Sequence, residues 1–227
     1  MPITIRTCTA ADGPAVGVTN TAAYWENGNW RLIWGTKTLE YVTEQSSKRQ
    51  STNLLGDREH RRVEVAIDEE TGRLVGYARW ALPDRLVSEW LECQVPAVSK
   101  EEEKQYAARH AGADWQHRRE LDVLDVPVSA MKNRLQGQHE YMELEFLAVH
   151  PEFKGQGIAS RLVQRGTAKA REMNVRVFVM AFKAAVGLYQ RAGFQMLDQI
   201  VQDDSKFGGP GDYAIYFLEW VPPAGEE

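Results

Sequence analysis

The stretch Glu143-Leu144-Glu145-Phe146-Leu147-Ala148-Val149-His150-Pro151-Glu152-Phe153-Lys154-Gly155-Gln156-Gly157-Ile158-Ala159-Ser160 constrains the fold most. An apolar strand pattern ends, a proline-bearing loop follows, and two glycines one residue apart open a helix. Gly155 and Gly157 lack Cβ, so a ligand can approach the backbone closely there. The first N–H groups of a helix have no intrahelical acceptor, and the positive end of the helix dipole lies behind them. Such a turn is an anion site suited to a pyrophosphate, and Lys154 adds a positive charge beside it. A dinucleotide fingerprint needs a third glycine where Ser160 stands and follows its strand at once, whereas His150 to Lys154 intervene here. A nucleotide P-loop needs a terminal Gly-Lys-Ser/Thr, which is absent. An ordinary strand–helix turn containing glycine remains open on these residues alone.

The rest of the chain supplies elements of both kinds. Ile3 to Cys8 is expected as a strand. Asp12 and Pro14 mark a helix start, with the helix running to Tyr24 or Trp25 before a turn at Asn27-Gly28-Asn29. Thr38 to Arg49 is expected as a second helix, and Tyr24, Trp25, Trp30 and Trp34 cluster between the two. Arg62 to Ile67 and Leu74 to Trp80 form a hairpin around a polar loop ending in Gly72. Strands are expected over Tyr141–Val149, Val175–Val179, Gln195–Gln202 and Tyr213–Glu219. Helices are expected over Gly157–Met173 and Ala184–Arg191, the second closed by Gly193. Strands and helices mix without strict alternation, which predicts a mixed sheet with helices on both faces.

Pro83 to Gln138 breaks this pattern. It contains a capping box, Ser99 with Glu102, ahead of a charged helical run to Ala111. Short helices are expected at Trp115–Leu121 and Ser129–Leu135. No strong apolar period marks it as a domain, so residues 83–138 are expected as an insertion within a single domain spanning 1–227.

Composition narrows the function classes. With 43% hydrophobic and 26% charged residues among 227, the chain can bury a core. A net charge of -5 argues against nucleic acid as the main partner, since phosphate binding needs a basic face. The two cysteines, Cys8 and Cys93, suggest a reducing compartment and no disulfide framework. No apolar run approaches the roughly 20 residues a membrane helix needs, and neither Met1–Thr9 nor the acidic Pro222–Glu227 carries a targeting signal. A cytoplasmic protein with no membrane partner is expected. His60, His110, His117 and His139 show no metal-type spacing, and no metal site is expected.

Two motifs together point to a family. Lys154-Gly155-Gln156-Gly157-Ile158-Ala159, after Leu147-Ala148-Val149-His150-Pro151, resembles the acetyl-CoA signature of the GNAT superfamily. Lys154 departs from the arginine or glutamine usual at its first place. Leu188-Tyr189-Gln190-Arg191-Ala192-Gly193-Phe194 resembles the family's Leu-Tyr-x-x-x-Gly-Phe motif, roughly 30 residues on. The resemblance is clear over Met142 to Leu197 and absent over residues 83–138.

It implies an α/β GNAT fold: a mixed central sheet with strands 4 and 5 splayed, flanking helices, and here a helical insertion between strands 3 and 4. It implies acetyl-CoA as co-substrate, with backbone groups of Leu147, Ala148 and Val149 along the pantetheine arm. Lys154, Gly155, Gln156, Gly157, Ile158, Ala159 and Ser160 would hold the pyrophosphate. Acetyl transfer to a primary amine by direct attack needs no protein nucleophile. Tyr189 matches the general acid for the leaving thiolate, a transfer from a phenol of pKa about 10 to a thiol of about 8.5 that demands good positioning. Glu143 and Glu145, two apart on one strand, are expected to share a face with Leu147 and Val149, and either is a candidate base for the incoming ammonium. Where many members carry an asparagine that contacts the cofactor, this chain has Phe182. A small-molecule amine is the expected acceptor, on a monomer or homodimer. Alternatives are a protein or peptide N-acetyltransferase and a non-catalytic acyl-CoA-binding module.

Overall fold

The computed structural model describes residues 2–223, so the acidic end of the chain at 224–227 lies outside the described residues. Seven strands form one mixed sheet in the order β1-β2-β3-β4-β5-β7-β6. They span Ile3–Thr7, Arg61–Asp68, Leu74–Ala81, Tyr141–Val149, Arg176–Phe182, Gln195–Asp203 and Asp212–Trp220. All neighbours are antiparallel except β4 and β5, which run parallel. Parallel strands need a crossover connection. Here α6, Ile158–Glu172, supplies it.

α6 buries the face its spacing predicts. Ile158, Leu162, Val163, Gly166 and Ala170 pack on the sheet with Trp80, Met142, Leu144 and Val177. Gly166 is required there, because a Cβ would stand 2.0 Å from the Trp80 ring. α7, Lys183–Arg191, adds Tyr189 to the same core.

The opposite face is covered by α1, Gly13–Trp25, and α3, Leu39–Leu55, over Val63, Val65, Tyr77 and Ala148. These helices touch closely, since Cβ atoms on Gly13 and Gly17 would lie 2.4 and 2.8 Å from Ser51 and Ser47. That packing carries α3 past Arg49 to Leu55, with Ser51 and Leu54 buried, where local sequence suggested an earlier end. Asp12 departs from its expected role. Its carboxylate accepts from Thr9 and Arg6 and not from the first turn of α1. Asn27 is no plain turn residue. Its side chain accepts from the N–H groups of Asn29 and Trp30 and caps a five-residue helix α2, Gly28–Leu32.

The insertion is more deeply built in than its composition suggests. Leu86, Trp90 and Cys93 enter the core beneath α6. The fully buried Arg62 of β2 donates to the carbonyls of Val87 and Glu89, fastening that segment to the sheet. α4, Lys100–Ala111, starts at the expected Ser99–Glu102 box and buries no residue. Trp115–Arg118 is not helical, and a 3-10 turn at Arg119–Leu124 leads into α5, Asp125–Gln136. α5 lays Val128 and Leu135 on Tyr141, Phe178 and Phe217. Among the described residues no helix is long and apolar enough to cross a membrane.

Candidate functional site

β4 and β5 pair only from Tyr141–Leu144 to Arg176–Val179. Beyond Leu144, β4 stays paired with β3 as far as Val149, and β5 stays paired with β7 as far as Phe182. The backbone of Glu145–Val149 therefore presents an edge toward β5 with no strand partner. Buried N–H and C=O groups require partners, so the gap can take an extended, hydrogen-bonding chain. The expected splay of strands 4 and 5 is present.

One expectation about β4 fails. Arg79 stands opposite Phe146 and Trp80 opposite Leu144, leaving Glu145 as an extra residue in a β-bulge. A bulge shifts the alternation of every later side chain. Leu147 and Val149 pack toward the α6 core, with Met142 and Leu144. Phe146 and Ala148 face α1 and α3. Glu143 is directed to α5, where Lys132 donates at 2.6 Å and Gln136 at 2.9 Å. Glu145 is held by Arg79 at 2.7 Å and Arg61 at 3.1 Å, and Arg79 lies over the Phe146 ring. The two glutamates thus do not share the face of Leu147 and Val149, as simple two-residue alternation predicted.

Past β4, His150 caps a 3-10 turn over Pro151–Phe153. Gly155 and Gly157 follow at φ 76° and 75°. Both are in the left-handed region that favours glycine, and an added Cβ would meet nothing within 4 Å. Gly157 is the N-cap of α6, and no side chain caps the helix. The opening N–H groups over Ile158, Ala159 and Ser160 are thus left for an outside acceptor, as a pyrophosphate cradle requires. Ile158 itself is buried, so only its backbone could contact a ligand. Lys154 is exposed and paired with Glu26 at the end of α1. Gln156 is exposed beside it.

Tyr189 is buried, 4% exposed, against Phe194, with ring centroids 5.3 Å apart. Burial, reinforced by the neighbouring Tyr24 hydroxyl, holds its phenol well above the ordinary value. It stays protonated throughout the neutral range, as a proton donor must. Phe182 is the N-cap of α7 and offers no side-chain acceptor there. Tyr24 stands between Phe146 and Trp30, and burial raises its hydroxyl to about 12.

On the Phe146 side of β4 lie two adjoining cavities of about 370 and 440 Å³ that share Gln50, Asn53 and Phe146. The first is walled by Trp30 and Trp34, with Trp115 of the insertion edge-on to Trp34 at 4.6 Å. The insertion also contributes His117, Asp122 and Asp125, and the β6–β7 end contributes Asp204 and Tyr213. The second cavity runs along Tyr77, Arg61 and Arg79. The sequence marks Trp30 and Trp34 as a candidate wall but gives no such sign for Arg79, Trp115, Asp125 or Tyr213, which reach the two cavities from β3, the insertion and β7. Only the bulk and polarity of Trp115, unusual in a charged segment, could have marked one of them. Among the described residues no three His, Cys, Asp or Glu side chains converge as a metal would require.

Comparison with known proteins agrees with this geometry. The model of the acetyltransferase (GNAT) family matches residues 21–194. No curated protein matches the chain. Among solved structures, one from Corynebacterium glutamicum, described as histone acetyltransferase HPA2 and related acetyltransferase, is similar at TM-score 0.58 and 20% identity, covering 100% of this chain and 99% of its own. The Drosophila melanogaster polyamine N-acetyltransferase, which forms N-acetylagmatine, is similar at TM-score 0.55 and 17% identity, over 97% and 100%. The PaiA N-acetyltransferase of Thermoplasma acidophilum, solved in complex with coenzyme A, is similar at TM-score 0.54 and 13% identity, over 97% and 99%. These likenesses are of fold, and the family match rests on the stretch holding both the glycine turn and Tyr189, so the chain belongs to the GNAT acetyltransferase family.

Proposed function

We propose that the protein transfers an acetyl group from acetyl-CoA to the primary amine of a small molecule by direct attack. The observation that carries this reading is the parting of β4 from β5 after Leu144, between an uncapped glycine helix start and a cavity beside Phe146. Backbone groups of Leu147, Ala148 and Val149 align the pantetheine arm. The N–H groups over Gly155–Ser160 neutralise the pyrophosphate, with Lys154 and Gln156 at its rim. Donors directed at the thioester oxygen stabilise the charge that develops there. Acetyl-CoA supplies the activated acyl group. The amine nitrogen forms the new C–N bond, the C–S bond breaks, and Tyr189 gives its proton to the departing sulfur.

The ammonium proton must leave before attack. Both candidate carboxylates are engaged by cations, so we place that transfer through a water, with Glu145 the acceptor because Arg61 and Arg79, which hold it, line the second cavity. Glu143 lies on the far side of the bulge, against α5.

A cavity with indole walls suits a small organic amine better than an extended peptide. A polyamine N-acetyltransferase of the same fold, acting on a small amine, supports the same choice. Thiol release from acetyl-CoA across small amines, peptides and a protein N-terminus tests the reading. Turnover of a small amine is expected. Tight acetyl-CoA binding by calorimetry without thiol release from any acceptor would instead mark a binding module, and turnover confined to peptides would move the acceptor class.

A further inference from the structure

The aromatic cavity holds polar groups that the fold itself leaves without partners. Trp34 is 5% exposed, fixed edge-on between Trp30 at 5.4 Å and Trp115 at 4.6 Å. Its indole N–H is buried with no acceptor among the described residues. A buried donor left unpaired costs about 1–3 kcal/mol, and this one has almost no accessible surface, so Trp34 offers the cavity its ring and not its N–H.

Arg49, on the α3 face of the same cavity, is differently placed. Its guanidinium lies over the Trp115 ring, 4.9 Å from the centroid, so it is held in place. No carboxylate among the described residues lies within ion-pair distance of it. The surrounding arginines differ, since Arg61 and Arg79 hold Glu145 and Arg118 holds Glu120. Burial lowers the Arg49 pKa with no opposing charge, which fits a guanidinium partly dried and not neutralised.

The acids of the cavity do not fill this need. Asp122 is engaged by His117 at 2.9 Å. Asp204 accepts from Asn29 at 2.7 Å and from the Gly211 N–H at 2.8 Å. Asp125, with no cation partner among the described residues, sits at the exposed entrance. The unmatched groups that the cavity offers a ligand are therefore a guanidinium inside and one exposed carboxylate. A second ammonium would face Arg49. An acceptor-rich anion satisfies it.

We infer that the amine acceptor also carries a carboxylate, received by Arg49, while its amine is directed to Phe146 and the splayed strands. The substrate class is thus an amino acid or a similar zwitterion. This deepens the acceptor reading above and rests on it.

Matched acceptor sets test it: an α- or ω-amino acid, its primary amide, its decarboxylated amine and a diamine of equal length. In the wild type, kcat/KM for the acid should exceed that for its amide. Losing one charge-assisted hydrogen bond should lower that acid-to-amide ratio about tenfold or more in Arg49→Gln. Arg49→Lys should restore part of it. Calorimetric binding of acetyl-CoA reports that each variant is folded. Preference for the amide, the amine or the diamine, or an unchanged ratio in Arg49→Gln, overturns the inference. If no acceptor is turned over although acetyl-CoA binds, the catalytic reading fails separately. Thermal shift with coenzyme A then decides this one. Stabilisation by the acid over the amide, lost in Arg49→Gln, upholds it, and equal shifts overturn it.

Discussion

Gly157→Ala tests the pyrophosphate cradle with an internal control. Gly157 has φ 75° and open space around a would-be Cβ. Alanine there meets no clash and costs only the left-handed backbone penalty, about 1–2 kcal/mol. Gly72, in the β2–β3 hairpin loop, has φ 70° and the same open space. Gly72→Ala should therefore lower stability by the same ~1–2 kcal/mol, a shift in Tm of ~2–8 °C for a domain of this size. The two variants should part on ligand binding. At Gly157 the methyl group occupies the approach of an anion to the uncapped N–H groups of α6. Each charge-assisted hydrogen bond lost is worth about 1.5–3 kcal/mol, or roughly 10- to 150-fold in Kd. Calorimetry with acetyl-CoA should show that loss for Gly157→Ala and none for Gly72→Ala. Equal destabilisation with wild-type affinity in both would refute the reasoning, because it would place the pyrophosphate away from this turn.

Three further outcomes follow from named contacts. Tyr189→Phe should lower the single-turnover rate by ~10²–10⁴-fold with acetyl-CoA affinity kept. Because burial raises this phenol, the alkaline fall in the wild-type rate should lie above the ordinary tyrosine value of about 10; a rate already falling near pH 9 assigns the proton to another group. Arg165→Ala strands the fully buried Glu64, which it holds at 2.6 Å, at a cost of about 3–5 kcal/mol. Adding Glu64→Gln should recover much of that in a urea melt, and no recovery would mean Arg165 matters through packing alone. His60 bonds Asp57 at 2.7 Å and Asp84 at 3.2 Å, and those carboxylates, Asp57 first, raise its pKa. Its stabilisation is full below the unfolded value of about 6.5 and is lost as pH rises through the folded one. The Tm gap between wild type and His60→Gln should accordingly shrink from pH 5.5 to 8, whereas a gap independent of pH would contradict the ion pairs.

Much of the site was legible locally because its demands are local. The extent of β4 follows from the apolar run Tyr141–Val149, and the turn at Gly155–Gly157 from residues that alone accept positive φ freely. The buried face of α6 follows from its 3.6-residue period. The helix bearing Tyr189 closes at Gly193, φ 90°, as a left-handed cap requires. Family resemblance rested on these same residues.

What tertiary structure alone decided involves partners distant in the chain. The bulge at Glu145 arises where β3 and β4 align Arg79 with Phe146 and Trp80 with Leu144. Nothing in β4 itself marks that extra residue, yet it turns Phe146 toward α1, α3 and the cavities and Leu147 toward the α6 core. Trp115 reaches Trp34 and Arg49 only because the insertion folds back over α3. α3 outruns its local signals because Ser51 packs on Gly13. Backbone conformation and periodicity are encoded within a few residues. Strand register and side-chain pairing depend on free-energy differences that appear only once distant segments are in contact.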